Sequence, residues 1–325
     1  MKEKIKRLLR ELNNGLIDKE EVIKISLLTM LAQENLILIG PPGTAKSEIA
    51  RRLSGIIKDQ KEDNYFEYLL TKFTTPEEIF GPLSIKELKE DRFKRNSEGY
   101  MPRADIVFLD EIFKANSSIL NTLLTILNER VFHNGNKREK APLLSLISAS
   151  NELPDNDNEL NALYDRILVR LVVGYISDDK IDDLFQMDNS EFEISDDLKL
   201  TTDEIKSIRK ESRKVVIPDC IREAIKSIRI DFKDKFKEDD RESISDRRLV
   251  KVQGVLKVSA YTNGRDFVDF SDLMILRHCL WNSESNREDV GRIVVNNIKK
   301  YFNLSFKSNE LSGLKDDESQ EKKVI

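Results

Sequence analysis

The sequence predicts an α/β fold: a parallel-sheet core built around a phosphate-binding loop, carrying inserted hairpins and followed by an all-α domain. Three observations predict it. Four apolar β-formers, Leu36-Ile37-Leu38-Ile39, run into the turn Gly40-Pro41-Pro42-Gly43-Thr44-Ala45-Lys46-Ser47 and then into helical spacing at Ile49, Leu53, Ile56 and Ile57. A second apolar run, Ile106-Val107-Phe108-Leu109, ends in the adjacent acids Asp110 and Glu111, as expected of a strand buried on both faces with chemistry at its carboxyl end. After about residue 177 the apolar strands vanish and charged, helix-spaced patterns replace them.

Composition bounds the function. The chain has 325 residues, 35% of them charged, with a formal net charge of -5, so there is no global pull towards nucleic acid, membrane surfaces or acidic substrates. Its two cysteines, Cys220 and Cys279, form no C-x-x-C pair and read as buried thiols of a reducing compartment. No apolar run approaches the roughly 20 residues that span a bilayer, and the start MKEKIKRLLRELNNG lacks the apolar core and cleavage site of a leader. The expectation is a soluble, cytoplasmic protein without a membrane partner.

Taken in order, residues 2–12 read as a short basic amphipathic helix with Ile5, Leu8, Leu9 and Leu12 on one side, ended by Gly15. Asp18 is placed to cap a second helix, 19–32. Next come the first strand, the phosphate loop and its helix, then the β-rich run 65–70. Thr75, Pro76 and Glu78 have the spacing of an N-cap, a first-turn proline and a capping box. Residues 83–103 read as an inserted hairpin closed by Gly99 and Pro102. Beyond the acidic strand lie a helix over 116–129 and a second hairpin over 130–143, turned by Asn134-Gly135, with His133 a surface residue on its first arm. A third strand, 143–150, ends at Asn151; a helix over 159–164 leads to Asp165-Arg166, and 167–173 is again β-like.

In the second half, Thr201 and Glu204 make a capping box for a helix through 214, and Asp219 is placed to cap the next. Residues 231–242 carry both signs of charge and read as solvated. Ser245-Asp246-Arg247-Arg248 opens a helix with Leu249, Val252, Val255 and Leu256 inward; helices over 271–281 and 287–302 follow, with His278 and Trp281 as packing residues. Residues 305–325 are polar and read as a disordered or exposed tail. The domain division expected is 1–176 for the core, 177–304 for the helical lid and 305–325 for the tail.

The chemistry converges on a nucleotide. Backbone N–H groups of 43–46 form a concave nest at a positive helix end, Lys46 brings a mobile charge to the outer phosphates, and Ser47 offers a hydroxyl to Mg²⁺. The general pattern G-x-x-x-x-G-K-[ST] has Gly where Ala45 stands; the expectation is that this position already lies in the first helical turn, with φ negative. If the acidic strand lies beside the phosphate-loop strand, Asp110 holds Mg²⁺ through water and Glu111 activates the water that attacks the γ-phosphate. The plainer reading, that both acids cap the following helix, loses force once Lys46-Ser47 stands upstream. Asn151 suits an amide that orients the attacking water, and equally an ordinary turn.

Six stretches together resemble the MoxR family of AAA+ ATPases, and within it the RavA-like group. They are Gly40 to Ser47, Thr74-Thr75-Pro76-Glu77-Glu78-Ile79-Phe80-Gly81-Pro82-Leu83, Ile106 to Glu111, Asn121 to Arg130, Ala149-Ser150-Asn151-Glu152-Leu153-Pro154, and Ala162 to Arg166. The resemblance implies a homo-hexameric ring with ATP bound between neighbours and an adenine ring near residues 14–19. It makes Asn151 the sensor-1 residue and Arg166 the arginine finger, with Arg170 competing for that role. It also makes Arg247 the sensor-2 residue, ahead of Arg248, folding over the same subunit's nucleotide. The 83–103 insertion matches the helix-2 insert facing the ring axis. The function implied is a Mg²⁺-dependent ATPase that remodels or matures client proteins, often with a von Willebrand A-type partner. Two alternatives stand beside it: a nucleotide-gated scaffold with little turnover, and a motor for a nucleic-acid system, against which the acidic balance argues.

Overall fold

The computed structural model of the protein describes residues 1–58, 64–154, 158–186, 192–239 and 242–308. Helices α1 (Lys2–Asn13) and α2 (Glu20–Leu31) precede strand β1 (Leu36–Ile39), and α3 (Lys46–Ser54) follows it. Then come β2 (Tyr65–Leu69), α4 (Pro76–Phe80), α5 (Ile85–Leu88), β3 (Ile106–Asp110), α6 (Ser117–Glu129), β4 (Val131–Asn134), β5 (Lys137–Lys140), β6 (Ser145–Ser150), α7 (Asn158–Tyr164) and β7 (Val169–Val172). The remainder is helical: α8 (Ile181–Phe185), α9 (Thr202–Glu211), α10 (Asp219–Lys235), α11 (Asp246–Thr262) and α12 (Arg287–Ser308).

Five strands form one parallel sheet in the order β2-β3-β6-β1-β7. β1 and β6 are buried at every position, so helices must cover both of their faces, and neither shows the alternation of a half-exposed strand. One expectation is corrected here. β3 does not lie beside β1: β6 stands between them, pairing Leu36 with Ile147 on one side and Phe108 with Ile147 on the other. The phosphate loop and the acid pair are therefore two strands apart, and the residue after β6, Asn151, lies in the gap.

The 83–103 insertion also differs from a plain hairpin. Ser84 caps the short helix α5, and the arms meet only at the bridge Leu83 to Arg95, backed by Ser84 N–H to Lys94 O at 2.7 Å. It is tied to the second hairpin, as expected a two-stranded β4–β5 ribbon, because Asn134 accepts from Arg95 N at 2.7 Å and donates to Arg95 O at 3.1 Å. Thr75 and Glu78 form the capping box of α4, as their spacing predicts.

Four smaller expectations fail for local reasons. Asp18 adopts φ 59° and does not cap α2; its carboxylate accepts from Lys180 Nζ at 2.8 Å and Ser177 N at 3.4 Å. Asp219 is the first residue of α10, whose N-cap is Pro218. The 231–242 stretch is not merely solvated, for Phe232 and Phe236 are buried and the Glu242 carboxylate takes the backbone N–H groups of Asn282 and Ser283. Residues 272–278 form a 3₁₀ helix, and α12 runs to Ser308, so the proposed tail is helical at its start while 309–325 lie outside the described residues. Trp281 is fully buried and His278 largely so, in keeping with packing roles, and His133 is exposed. Neither cysteine is in a disulfide, and burial pushes the Cys279 thiol up to about 12. Among the described residues no helix is long and apolar enough to cross a membrane.

Candidate active site

The phosphate loop leaves β1 at the carboxyl edge of the sheet. Gly40 has no room for a side chain, since a Cβ there would meet Val173 O at 2.1 Å. Gly43 adopts φ 80° and Ala45 φ 66°. The second value overturns the expectation that Ala45 sits in the first helical turn. It is the left-handed N-cap of α3, a conformation that favours glycine, and a methyl there costs roughly 1–2 kcal/mol of local strain. The reward is a loop whose N–H groups turn inward at a helix start. Thr44 Oγ1 braces it by donating to Pro41 O at 2.9 Å, while Pro42 is exposed and Ser47 is half-buried in the first turn of α3.

Lys46 is buried and its ammonium points back into the loop. It donates to Gly40 O at 2.6 Å, Pro41 O at 2.9 Å and Asn151 Oδ1 at 3.0 Å. Asn151 Nδ2 in turn donates to Glu111 Oε1 at 2.5 Å. The result is a continuous chain, Lys46 to Asn151 to Glu111, across three strands. Burial lowers the pKa of Lys46, against the nearby charges of Asp110 and Glu111, which raise it. Glu111 thus shares the Asn151 amide with the lysine, and Asp110 precedes it at the end of β3. Glu111 itself has φ 53°, Asp110 Oδ1 accepts from its N–H at 2.9 Å, and its carboxylate lies 3.3 Å from Lys114 Nζ. Among the described residues six non-glycine residues adopt positive φ, and two of them, Ala45 and Glu111, belong to this site.

The donor set suits Mg²⁺. That ion keeps several waters and takes one or two protein oxygens beside substrate phosphates, so a hydroxyl and a single carboxylate suffice. Ser47 is the second residue of α3, behind the phosphate loop, and Asp110 is close enough to act on the Lys46 charge.

The arginines stand elsewhere. Arg166 precedes β7, at the amino edge of the sheet, and its carbonyl accepts from Asn35 Nδ2 at 3.4 Å. Four-residue strands at about 3.3 Å per residue put roughly 13 Å between that edge and the loop after β1. Arg247, in the first turn of α11, is exposed and near enough for its charge, after burial, to lower the pKa of Arg166. The expectation that Arg247 folds over its own subunit's nucleotide is neither met nor excluded by this placement. Arg170 is no finger candidate. It is fully enclosed, donates to Asn282 Oδ1 at 2.5 Å, Tyr164 O at 3.2 Å and the Trp281 carbonyl, and lies 3.8 Å from the Tyr164 ring; burial brings its pKa down to about 10. Arg248 is buried too, paired with Asp165 at 3.0 Å. That carboxylate accounts for an arginine at a helix start, where the backbone field is unfavourable to cations. Enclosure of this kind leaves no mark on spacing or composition.

The family described as "MoxR domain in the MoxR-vWA-beta-propeller ternary systems" matches residues 3–210, and an AAA lid domain family matches 221–294. The chain belongs to the MoxR family of AAA+ ATPases. Two uncharacterized proteins of Methanocaldococcus jannaschii are each 45% identical to this MoxR chain, one over 92% of it and 75% of the relative, the other over 86% and 71%. The Holliday junction branch migration complex subunit RuvB of Mycoplasma genitalium is 22% identical over 78% of the chain and 73% of its own length. A crystal structure from Cytophaga hutchinsonii, named as a candidate ATPase, shares the fold with a TM-score of 0.67 at 18% identity, covering 92% of this chain and 94% of that one. The matches do not single out the RavA-like group within the MoxR family.

Proposed function

We propose that the protein is a Mg²⁺-dependent ATP hydrolase working as a homo-hexameric ring that remodels or matures client proteins. The observation that carries this reading is the hydrogen-bonded chain from Lys46 through Asn151 to Glu111. It joins a phosphate-binding cation, a water-positioning amide and a general base across one gap, the geometry phosphoryl transfer to water requires. Residues 40–47 cradle the phosphates, Ser47 and Asp110 hold Mg²⁺, Glu111 takes the proton of the attacking water, and Asn151 orients that water. Bound Mg²⁺ would neutralise charge developing on the phosphate oxygens.

The distance of Arg166 from its own phosphate loop supports a role in trans. Its guanidinium suits developing phosphate charge in an adjacent subunit, with Arg247 beside it facing the same neighbour. The matched family description names a vWA component and a β-propeller, which supports a vWA protein as partner. For clients, the tied unit of insertion and β4–β5 hairpin exposes Ile85 and Phe93, an apolar tip at 73% and 69% exposure.

The test is ATP turnover and ATP affinity in Glu111→Gln. The amide keeps the hydrogen bond to Asn151 but cannot accept the proton, so turnover falls by about 10²-fold or more while affinity stays within a few-fold. Turnover near that of the unsubstituted protein refutes the assignment.

A further inference from the structure

The arginine finger is the part of the proposed mechanism with the least support from its own contacts. Among the described residues the Arg166 guanidinium donates to Ala162 O at 2.5 Å and its Nε has no hydrogen-bond partner, while Arg247 repels it. Its aim must come from what holds its neighbours in sequence. Resting on the reading of Arg166 as a finger, we propose that Asp165, Arg248 and Tyr164 are positioning residues that lock the finger segment to the lid, so that the lid sets the finger's aim into the adjacent subunit.

Residues 164–166 leave α7 in a tight turn, with Asp165 N–H bonded to Asn161 O and Arg166 N–H to Leu163 O. The helical second half grips this turn at two points. Arg248, on α11, donates to Asp165 Oδ1 at 3.0 Å, and Ser245, the N-cap of α11, reaches the same oxygen at 3.4 Å. Tyr164 Oη donates to Asn282 O at 3.1 Å, in the turn before α12. That turn is itself fixed from both sides, by Arg170 of β7 and by Glu242 at the end of the preceding connection.

Charge explains why Asp165 is the pivot. Arg170 and Arg248 are both buried, and after burial itself the Arg248 charge disfavours that of Arg170. Asp165 is ion-paired to Arg248 at 3.0 Å, and its carboxylate, after the Tyr164 hydroxyl, favours the charge of Arg170. The first turn of α11 thus attracts residue 165 through Arg248 and repels residue 166 through Arg247. One helix end thus holds the base of the finger and opposes the charge at its tip. Tyr164 adds a link to the subunit's own chemistry, since its ring packs edge-on at 5.9 Å against Phe113, two residues beyond Glu111.

Subunit mixing tests this. Asp165→Asn keeps the shape of the side chain and removes its charge; Tyr164→Phe removes a single hydroxyl. Alone, Asp165→Asn turns over ATP about tenfold more slowly or worse, with ATP affinity within about twofold, since misplacement by an ångström costs on that scale. Mixed with an excess of Glu111→Gln subunits, which have a sound finger and no hydrolysis of their own, each Asp165→Asn subunit recovers turnover because its neighbour's finger is intact. Tyr164→Phe shows the same pattern at smaller amplitude, and it carries the test if thermal melting shows that Asp165→Asn does not fold. Arg166→Ala is the reference. If Arg166→Ala keeps full turnover, the finger reading itself falls. If Arg166→Ala is inactive and rescued by mixing while Asp165→Asn and Tyr164→Phe turn over normally, the positioning role alone falls. It falls as well if the loss in Asp165→Asn is not restored by mixing, because the defect then lies in its own site.

Discussion

At the scale of the residue, the site is defined by groups held in unfavourable states. Lys46 is a buried cation satisfied by two backbone carbonyls and an amide, and Ala45 and Glu111 sit at positive φ. Residue types and spacing announced Lys46, Ser47, Asp110 and Glu111, but not the backbone at Ala45. A left-handed φ in a non-glycine residue is set by the whole loop and leaves no trace in a local pattern. The sign of one substitution distinguishes the two conformations. In a helical turn, Ala45→Gly would destabilise by about 0.5–1 kcal/mol. At φ 66° it relieves roughly 1–2 kcal/mol of strain against a loss of about 0.4–1 kcal/mol through the more flexible unfolded chain, so stability is unchanged or rises by up to about 1.6 kcal/mol. Chemical denaturation of the two proteins measures the difference, and a clear loss of stability in the variant would contradict the left-handed assignment.

At the scale of the element, the strands, capping boxes and amphipathic helices were legible because each rests on contacts within a few residues. The order of the sheet was not. Nothing local records that β6 inserts between β1 and β3, yet that insertion is what brings Asn151 between Lys46 and Glu111. The junction with the helical half was equally silent, since Arg170 and Arg248 read as candidates for nucleotide-facing roles until the fold encloses them beside Asp165 and Tyr164. His278 offers a test of that packing. Its Nε2 accepts from Arg277 Nε at 3.1 Å, which requires a neutral ring. Glu21 at 3.4 Å would favour the cation, but the Arg277 N–H occupies the lone pair, and burial with Arg277 and Arg287 brings the pKa to about 3. A depressed histidine pKa contributes stability that is complete above the unfolded value near 6.5 and is lost as pH falls below it. The slope is about 1.4 kcal/mol per pH unit, or about 2 kcal/mol by pH 5. Unfolding measured at pH 7 and pH 5 shows this loss, and His278→Gln reduces it; an equal loss in the variant would place His278 in a wetter environment than the packing implies.

At the scale of the whole molecule, the catalytic parts are divided between two ends of the sheet. Phosphate loop, acid and amide lie at the carboxyl edge, while Arg166, with Arg247 near it, lies towards the amino edge, which on the proposed reading suits a neighbour's nucleotide. On the proposed reading one chain carries two half-sites, and activity requires assembly. Turnover per subunit therefore rises with protein concentration across the association range, and Arg166→Ala flattens that rise without weakening ATP binding. A specific activity independent of concentration, from dilution far below any association constant upwards, would favour a self-sufficient site or a scaffold. The net charge of -5 adds no general affinity for nucleic acid, so any such binding would need a local basic surface and would weaken steeply with salt.

The central claim is that one triphosphate replaces the lysine-centred hydrogen bonds now joining the loop, the amide and the acid. A crystal structure with a non-hydrolysable ATP analogue and Mg²⁺ measures this directly. Lys46 Nζ should leave the Gly40 and Pro41 carbonyls and lie within about 3.2 Å of phosphate oxygens, with Asn151 at the γ-phosphate and Ser47 and Asp110 on the metal side. If the analogue binds elsewhere while Lys46 stays on those carbonyls, the account is wrong.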